Sequence, residues 1–369
     1  MSAGRSGAPG ESVSLAGALP TDPTAGQRLR QLSPWLWTGG GLLLALVLNS
    51  AVGPVTIPPG TVVQLLLERT GLSAGPVDAP DTFRTILFDI RLPHTALMAL
   101  AGLALGASGA AYQGLFRNPL ADPYILGVAA GAGLGAISAM TIQWPSTVLG
   151  MATVPAAAFV GAMATVGVVY RIARVGRSTP VTTLLLAGVA VGTFTSALTS
   201  LILLLSTSEL RRAISWLLGG FSLGGWQPVL ASLPYLLVGV GTLVALRRPI
   251  NVLQFGDEEA LQLGLDVERF KLAVVAAASL VAATAVAFTG IIAFVGLIVP
   301  HLVRILWGHD YRRLIPLAAV GGGAVLLAAD IAARTVLAPR DLPVGVITSV
   351  IGAPFFLWLL RRAKHEVFW

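Results

Sequence analysis

The sequence predicts an all-α polytopic membrane protein, on three observations. The 369-residue chain is 55% hydrophobic and 11% charged, with a mean hydropathy of +0.81, values that belong to helical membrane proteins. Apolar runs long enough to cross a bilayer recur along most of its length. If successive runs alternate in direction, 17 of the 24 Lys and Arg residues fall on one side, the asymmetry that orients helices in a membrane.

Residues 1–33 are rich in Gly, Ser, Pro and Ala, and such a composition predicts a disordered cytoplasmic tail. A cleaved signal peptide is not expected, because the first apolar run begins late and no basic cluster directly precedes it. Residues 34–369 then form one transmembrane domain. A span needs about 20 apolar residues, and ten candidates follow: 35–52, 94–115, 125–140, 147–170, 182–205, 228–247, 271–288, 292–307, 314–333 and 343–361. Spans 125–140 and 292–307 are short, which predicts tilted, broken or partial crossings. Ten spans put both termini on the same side, and the positive bias makes that side the cytoplasm. The outer segment 53–93 opens with Pro54, Pro58 and Pro59 and carries an amphipathic piece, Val62–Leu67. The outer segment 206–227 predicts a short interfacial helix, Glu209–Leu218, followed by turn-forming glycines. Gly102 with Gly106, and Gly127 with Gly131 and Gly135, recur at four-residue spacing, which lets helix backbones approach closely in lipid.

The longest water-compatible stretch inside the apolar domain is Ile250–Leu265, within an inner loop spanning 248–270. Asp257, Glu258 and Glu259 stand where a helix dipole favours anions, and Asp257 is placed to cap. Ala260, Leu261 and Leu263 supply an apolar face, and Gly264 is placed to end the helix. Lipid-surface helices usually carry Lys and Arg on the polar face. Carboxylates there point instead to a groove on a partner protein.

Composition and motifs also exclude. The chain has no cysteine, hence no disulfide framework or thiolate metal site, and its four histidines are too scattered for a metal cluster. No GxxxxGK[ST] occurs, so ATP, if used, binds another subunit. Gly106-Ala107-Ser108-Gly109 matches the local pattern of an intramembrane serine protease, but no histidine falls at its depth, and Ser108 reads as a packing residue. Asp330 is the sole acid placed within a span, and Arg334 follows at i+4 to pair with it. Intramembrane carboxylates mark proton-coupled carriers, and their near absence weighs against one. Thr193, Ser196, Ser200 and Thr207 share one face of the fifth span. Their hydroxyls could line a wet, neutral path or bond to neighbouring helices.

Several ordered stretches resemble the FecCD family, the permease subunits of ABC importers for iron–siderophores, haem and cobalamin. They are Arg91-Leu92-Pro93, Ser108–Gly114, Arg117–Gly127, Leu184–Gly188, Trp216–Gly220, Phe255–Gly264, Phe294–His301, Leu327–Asp330, Leu342–Gly345 and Gly352–Pro354. The resemblance implies a type II importer fold with ten spans, two permease subunits about a central path, two cytoplasmic ATPase subunits and an external substrate-binding protein. Residue by residue, it implies an ATPase-coupling helix at Gly256, Asp257, Glu258, Glu259, Ala260, Leu261, Leu263 and Gly264. It implies binding-protein docking by Arg91 and Arg334. One inner gate falls at Asn118 and Leu120, the other at Pro180, Thr182 and Thr183, and Thr193, Ser196 and Ser200 line the path. It further implies a bacterial plasma-membrane location, no cofactor on this chain with ATP-Mg on the partner ATPases, and an iron(III)–siderophore-type cargo. Cobalamin and haem are the alternatives within the class, and an ATP-independent secondary transporter the alternative outside it. A bulky chelate needs no metal ligands from such a chain, only a wide and weakly interacting passage.

Overall fold

The structure, a computed structural model, describes residues 25–72, 75–142, 148–206, 210–220 and 224–367. In lipid every backbone N–H and C=O must be satisfied within its own segment, so the apolar runs become helices. In chain order these are α1 (Ala25–Ala51), α2 (Pro59–Arg69), α3 (Asp81–Thr85), α4 (Leu92–Leu115), α5 (Val128–Thr141), α6 (Val148–Ala173) and α7 (Val181–Leu205). Then come α8 (Leu210–Leu217), α9 (Gln227–Leu253), α10 (Asp257–Gln262), α11 (Val267–Thr289), α12 (Val295–Trp307), α13 (Tyr311–Thr335) and α14 (Val344–Val367). A π-helical stretch, Ile86–Arg91, joins α3 to α4 without a break. Among the described residues the only extended pairing is an isolated bridge between Val175 and Ser178.

Among the described residues seven helices are long and apolar enough to cross a membrane, and α5, α12 and Val344–Trp358 of α14 are shorter apolar helices. The two spans expected to be short are short for a local reason. Gly127 adopts φ +81° and starts α5 rather than lying within it. Gly290 (φ +78°) and Phe294 (φ +68°) break the chain between α11 and α12. The first helix begins at Ala25, inside the stretch expected to be a tail. The expected tail's remainder, 1–24, lies outside the described residues, as do Thr207 and Glu209.

Helix α4 is the hub. Nearly every residue from Leu97 to Leu115 is buried, and α9, α11, α12 and α13 pack around it. Its glycines make this possible. A Cβ on Gly102 or Gly106 would collide with the backbone of Gly322 or Ala318 in α13, and one on Gly109 with Gly296 in α12. Gly131 and Gly135 of α5 likewise meet the backbone of Gly161 and Ala157 in α6, which is the close small-residue packing expected in lipid. Ser108 sits fully buried in this seam, its hydroxyl donating to the Leu105 carbonyl at 3.2 Å, a packing residue. A smaller cluster, Ala51, Ile57, Val62, Leu65 and Leu87, seats α2 on the bundle beyond the end of α1.

Candidate functional site

The inner acidic stretch is shorter than expected. Ile250–Leu253 continues α9, because Ile250 and Leu253 are fully buried and Asn251 reaches α13, donating to Asp310 at 2.7 Å and accepting from the Tyr311 N–H at 3.0 Å. What protrudes is Gln254–Asp266. Its start and end are set by glycine geometry. Gly256 adopts φ +126°, where an L side chain would be strained, and occupies the cap position. Asp257 is therefore the first helical residue and makes no side-chain cap, contrary to the sequence expectation. Gly264, at φ +86°, ends the helix in a Schellman pattern: the Leu265 N–H donates to the Ala260 carbonyl and the Gly264 N–H to that of Leu261.

The expected apolar face also divides. Ala260 is fully buried against the bundle, whereas Leu261 and Leu263 are 64% and 69% exposed and stand near Phe255 at 73%. With the exposed Glu258 and Glu259, they form an apolar patch beside carboxylates. Asp257 faces the other way. Its Oδ2 lies 2.5 Å from Lys271 Nζ on α11 and its Oδ1 3.6 Å from Arg117 Nη2 at the end of α4.

Both expected inner gates lie at this end. Arg117 adopts φ +49° just past α4, and Asn118 folds back so that its Oδ1 accepts the Leu120 N–H at 2.9 Å. Asn118 and Leu120 are exposed. Asp122, in the same loop, accepts the Tyr124 N–H at 2.8 Å. It is half-buried, and the protein around it pushes its carboxyl up to about 6, an effect only partly offset by that hydrogen bond. The other gate segment begins α7: Pro180 precedes the helix, Thr182 is exposed, and the Thr183 hydroxyl is engaged by the Ala173 and Pro180 carbonyls, each at 2.8 Å.

Farther along α7, Thr193, Ser196, Thr199 and Ser200 line a groove of about 670 Å³ against α5, with Tyr124 and Leu217 also in its wall. Thr193, Thr199 and Ser200 donate to the i−4 carbonyls of Val189, Thr195 and Ser196. Their donors are occupied within the helix, and only oxygen lone pairs are left toward the groove. Such a surface wets but grips weakly.

The two arginines expected to dock a binding protein are engaged within the chain. Arg91 and Arg334 are not free surface cations. Arg91 is 6% exposed, and its guanidinium donates to the carbonyls of Ser50, Ala51 and Val55. Arg334 donates to Asn49 and Val52 carbonyls, both at 3.1 Å, and pairs with Asp330 at 2.8 Å. Together the two arginines satisfy the carbonyls that the end of α1 leaves without helical partners. The expected Asp330–Arg334 pair forms, but it belongs to a larger buried cluster. Asp330 also accepts from Asn49 Nδ2 at 2.8 Å and meets His94 Nε2 at 3.0 Å, and Thr95 donates to Asn49 Oδ1 at 2.7 Å.

Sequence reasoning missed Asn49, His94 and Lys271. Nothing local marks Asn49 or His94, which are brought to Asp330 only by packing across 281 and 236 residues. Lys271 is one of two lysines in the chain, and one placed beside an acidic loop was the available signal. The buried Arg304 was missed too. It donates to Gln113 Oε1 at 3.0 Å and Tyr311 OH at 3.3 Å, tying α12 to α4 and α13.

The chain is thus a bundle of apolar helices with broken short helices, a hydroxyl-lined groove and a short protruding helix. The family model described as the FecCD transport family matches residues 41–362, and the chain belongs to that family of ABC importer permeases. It is 43% identical over 358 residues to the cobalamin import system permease protein BtuC of Halobacterium salinarum, covering 89% of this chain and 95% of that protein. It is 38% identical over 331 residues to the hemin transport system permease protein HmuU of Yersinia pestis, covering 88% and 96%. It is also similar to a solved transporter described as of the metal-chelate ABC type, in an inward-facing conformation, with a TM-score of 0.74 and 26% identity over 89% of this chain and 98% of that one.

Proposed function

We propose that this chain is one of two permease subunits of an importer for an iron(III)–siderophore-type complex, driven by two separate ATPase subunits that bind ATP-Mg. The observation that carries this reading is the exposed rim of α10. Leu261, Leu263 and Phe255 are all exposed on one short protruding segment, and apolar side chains grouped in this way mark contact with a partner protein. Glu258 and Glu259 beside them give that partner a charge to read. Both termini and α10 then lie in the cytoplasm of a bacterial plasma membrane, and α5, α12 and α14 complete ten crossings. The groove along Thr193, Ser196 and Ser200 forms half of the path. Asn118 and Leu120, with Pro180, Thr182 and Thr183, close its inner end.

A second reading, cobalamin as cargo, is favoured by the 43% identity to a cobalamin permease. Haem has a similar but weaker claim. On either reading an external binding protein selects the cargo and meets the outer end, where Arg91 and Arg334 hold the last turn of α1 in shape rather than offering free charges.

The test is co-purification from membranes. Charge reversal of Glu258 and Glu259 (both to Lys) is expected to strip the ATPase from a permease that stays folded. Uptake that continues without any ATPase would exclude the reading in favour of a secondary transporter. Arg91→Glu with Arg334→Glu is expected to weaken binding-protein capture by disturbing α1, so the loss should accompany a lower melting temperature. Loss of capture with unchanged stability would return both arginines to direct docking. Supplying iron–siderophore, cobalamin and haem to the assembled importer in proteoliposomes separates the cargoes.

A further inference from the structure

Resting on that reading, we infer that Asp257 is the positioning residue through which α10 moves both inner gates. The two oxygens of its carboxylate face two different cations: Lys271 of α11, which reaches the carbonyl just before one gate, and Arg117, which adjoins the other.

Oδ2 holds Lys271 at 2.5 Å. Lys271 Nζ in turn lies 3.4 Å from the Thr179 carbonyl, immediately before Pro180 and the start of α7. Oδ1 lies 3.6 Å from Arg117, whose neighbour Asn118 forms the other gate turn. Thr179 and Val181 of one gate, Leu115 and Phe116 beside the other, and Lys271 between them line a single narrow cleft. One side chain on the protruding helix thus reaches both segments that must part for cargo to leave.

The two arms differ in strength for a physical reason. Lys271 is only 5% exposed. Parting it from its carboxylate would strand a desolvated charge, with only Glu268, at 3.6 Å, as a second anion. When α10 shifts, Lys271 follows, and the carbonyl it holds follows with it. The Arg117 arm is about 40% exposed on both sides, so water screens it. Arg117 nevertheless occupies a left-handed conformation (φ +49°) that a non-glycine residue adopts only when its surroundings impose it. That strained turn can relax when its partner withdraws. The Lys271 arm drags its gate, and the Arg117 arm latches the other.

The chain has no cysteine, so a single introduced thiol, read on the permease band after the subunits are separated, reports each gate without background from this chain. In the permease–ATPase complex, the rate of maleimide labelling is measured with and without ATP for Leu120→Cys and, separately, Thr182→Cys. In the otherwise unchanged chain ATP is expected to alter both rates. Asp257→Asn should lose the ATP-dependent change at both positions, and Asp257→Glu should restore it. Lys271→Gln should lose it at Thr182→Cys, and Arg117→Gln should diminish it at Leu120→Cys. If Asp257→Asn retains bound ATPase and both gates still respond, the inference is wrong. If Asp257→Asn sheds the ATPase, the two arm variants, which lie off the exposed rim, decide. Gates that respond normally in both arm variants overturn it. A parent complex in which ATP changes neither gate, or from which no ATPase co-purifies, overturns the importer reading instead.

Discussion

At the end of the bundle where α1 stops, Asp330, Arg334 and Arg91 turn inward, where Asn49, His94 and the carbonyls of α1 engage them, although the buried Arg334 Nε has no hydrogen-bond partner. At the α10 end Glu258, Glu259, Leu261 and Leu263 are exposed, and among the described residues no hydrogen bond or ion pair engages the two glutamates. Both regions are written in charged residues, and formal charge does not separate them. What separates them is the partner each residue finds. The outer charges hold a helix terminus in place, whereas the inner ones are left available to another molecule. Stability and partner binding should therefore part company along the membrane normal.

The sharpest way to break that contrast is Asp330→Ala. It leaves Arg334 and His94 facing a buried void without their anion, and removing one member of a buried ion pair costs about 3–5 kcal/mol. Chemical unfolding in detergent should show the loss, with Asp330→Asn intermediate because it keeps one acceptor. Equal stability of Asp330→Ala and the parent chain would mean that the outer network contributes nothing. Arg91→Ala comes next. It withdraws the guanidinium from three carbonyls near the end of α1, of which, among the described residues, only that of Ala51 keeps a second donor, the Ile57 N–H at 3.1 Å. Unsatisfied buried groups cost about 1–3 kcal/mol in such cases, and Arg91→Lys should recover part of this, since an ammonium reaches fewer of them.

How much of this was legible in the sequence depends on how local the cause is. The α10 boundaries were readable because Gly256, the acidic first turn and Gly264 are neighbours. The direction in which Ala260 faces was not, since that is decided by what α9 and α11 leave room for. The pairing of Asp330 with Arg334 follows from helical spacing alone. Their burial does not, because it depends on α1 ending just where the two arginines converge. Burial also explains why Arg91 and Arg334, marked by the family resemblance as surface docking groups, are found satisfying carbonyls. The hydroxyl face of α7 was visible from spacing, and the structure places it along a groove rather than in a helix contact.

A third test compares two acids in protein surroundings. Asp330 has three side-chain partners, whereas Asp122 has one backbone N–H, and burial raises its carboxyl to about 6. A carboxyl whose folded pKa exceeds its unfolded value favours folding in its protonated form. That contribution is complete below the unfolded value near 3.8 and is lost as pH rises through 6. Lowering pH from 7 to 5 should raise the melting temperature by about 1–2 °C through this group, on the scale of 1 kcal/mol in a chain of this size. Asp122→Asn, neutral at every pH, should remove that increment while keeping the acceptor for Tyr124. An identical pH response in the two chains would show that Asp122 is ionised in the fold after all.

The smallest expected effect on stability is the most telling for the comparison. Leu261 and Leu263 contact little of their own chain, so Leu261→Ser with Leu263→Ser should change unfolding free energy by no more than about 0.5 kcal/mol. The same substitutions remove the apolar centre of the α10 rim, and apolar side chains at the middle of an interface carry most of its affinity. Retention of the ATPase on the solubilised permease should therefore fall sharply while the melting curve stays in place. This is the mirror image of Arg91→Ala, which should lower the melting curve and leave ATPase retention intact. If the double serine variant instead unfolds early, the two leucines are part of the bundle's own packing, and the division between a self-satisfied outer end and an open inner end does not hold.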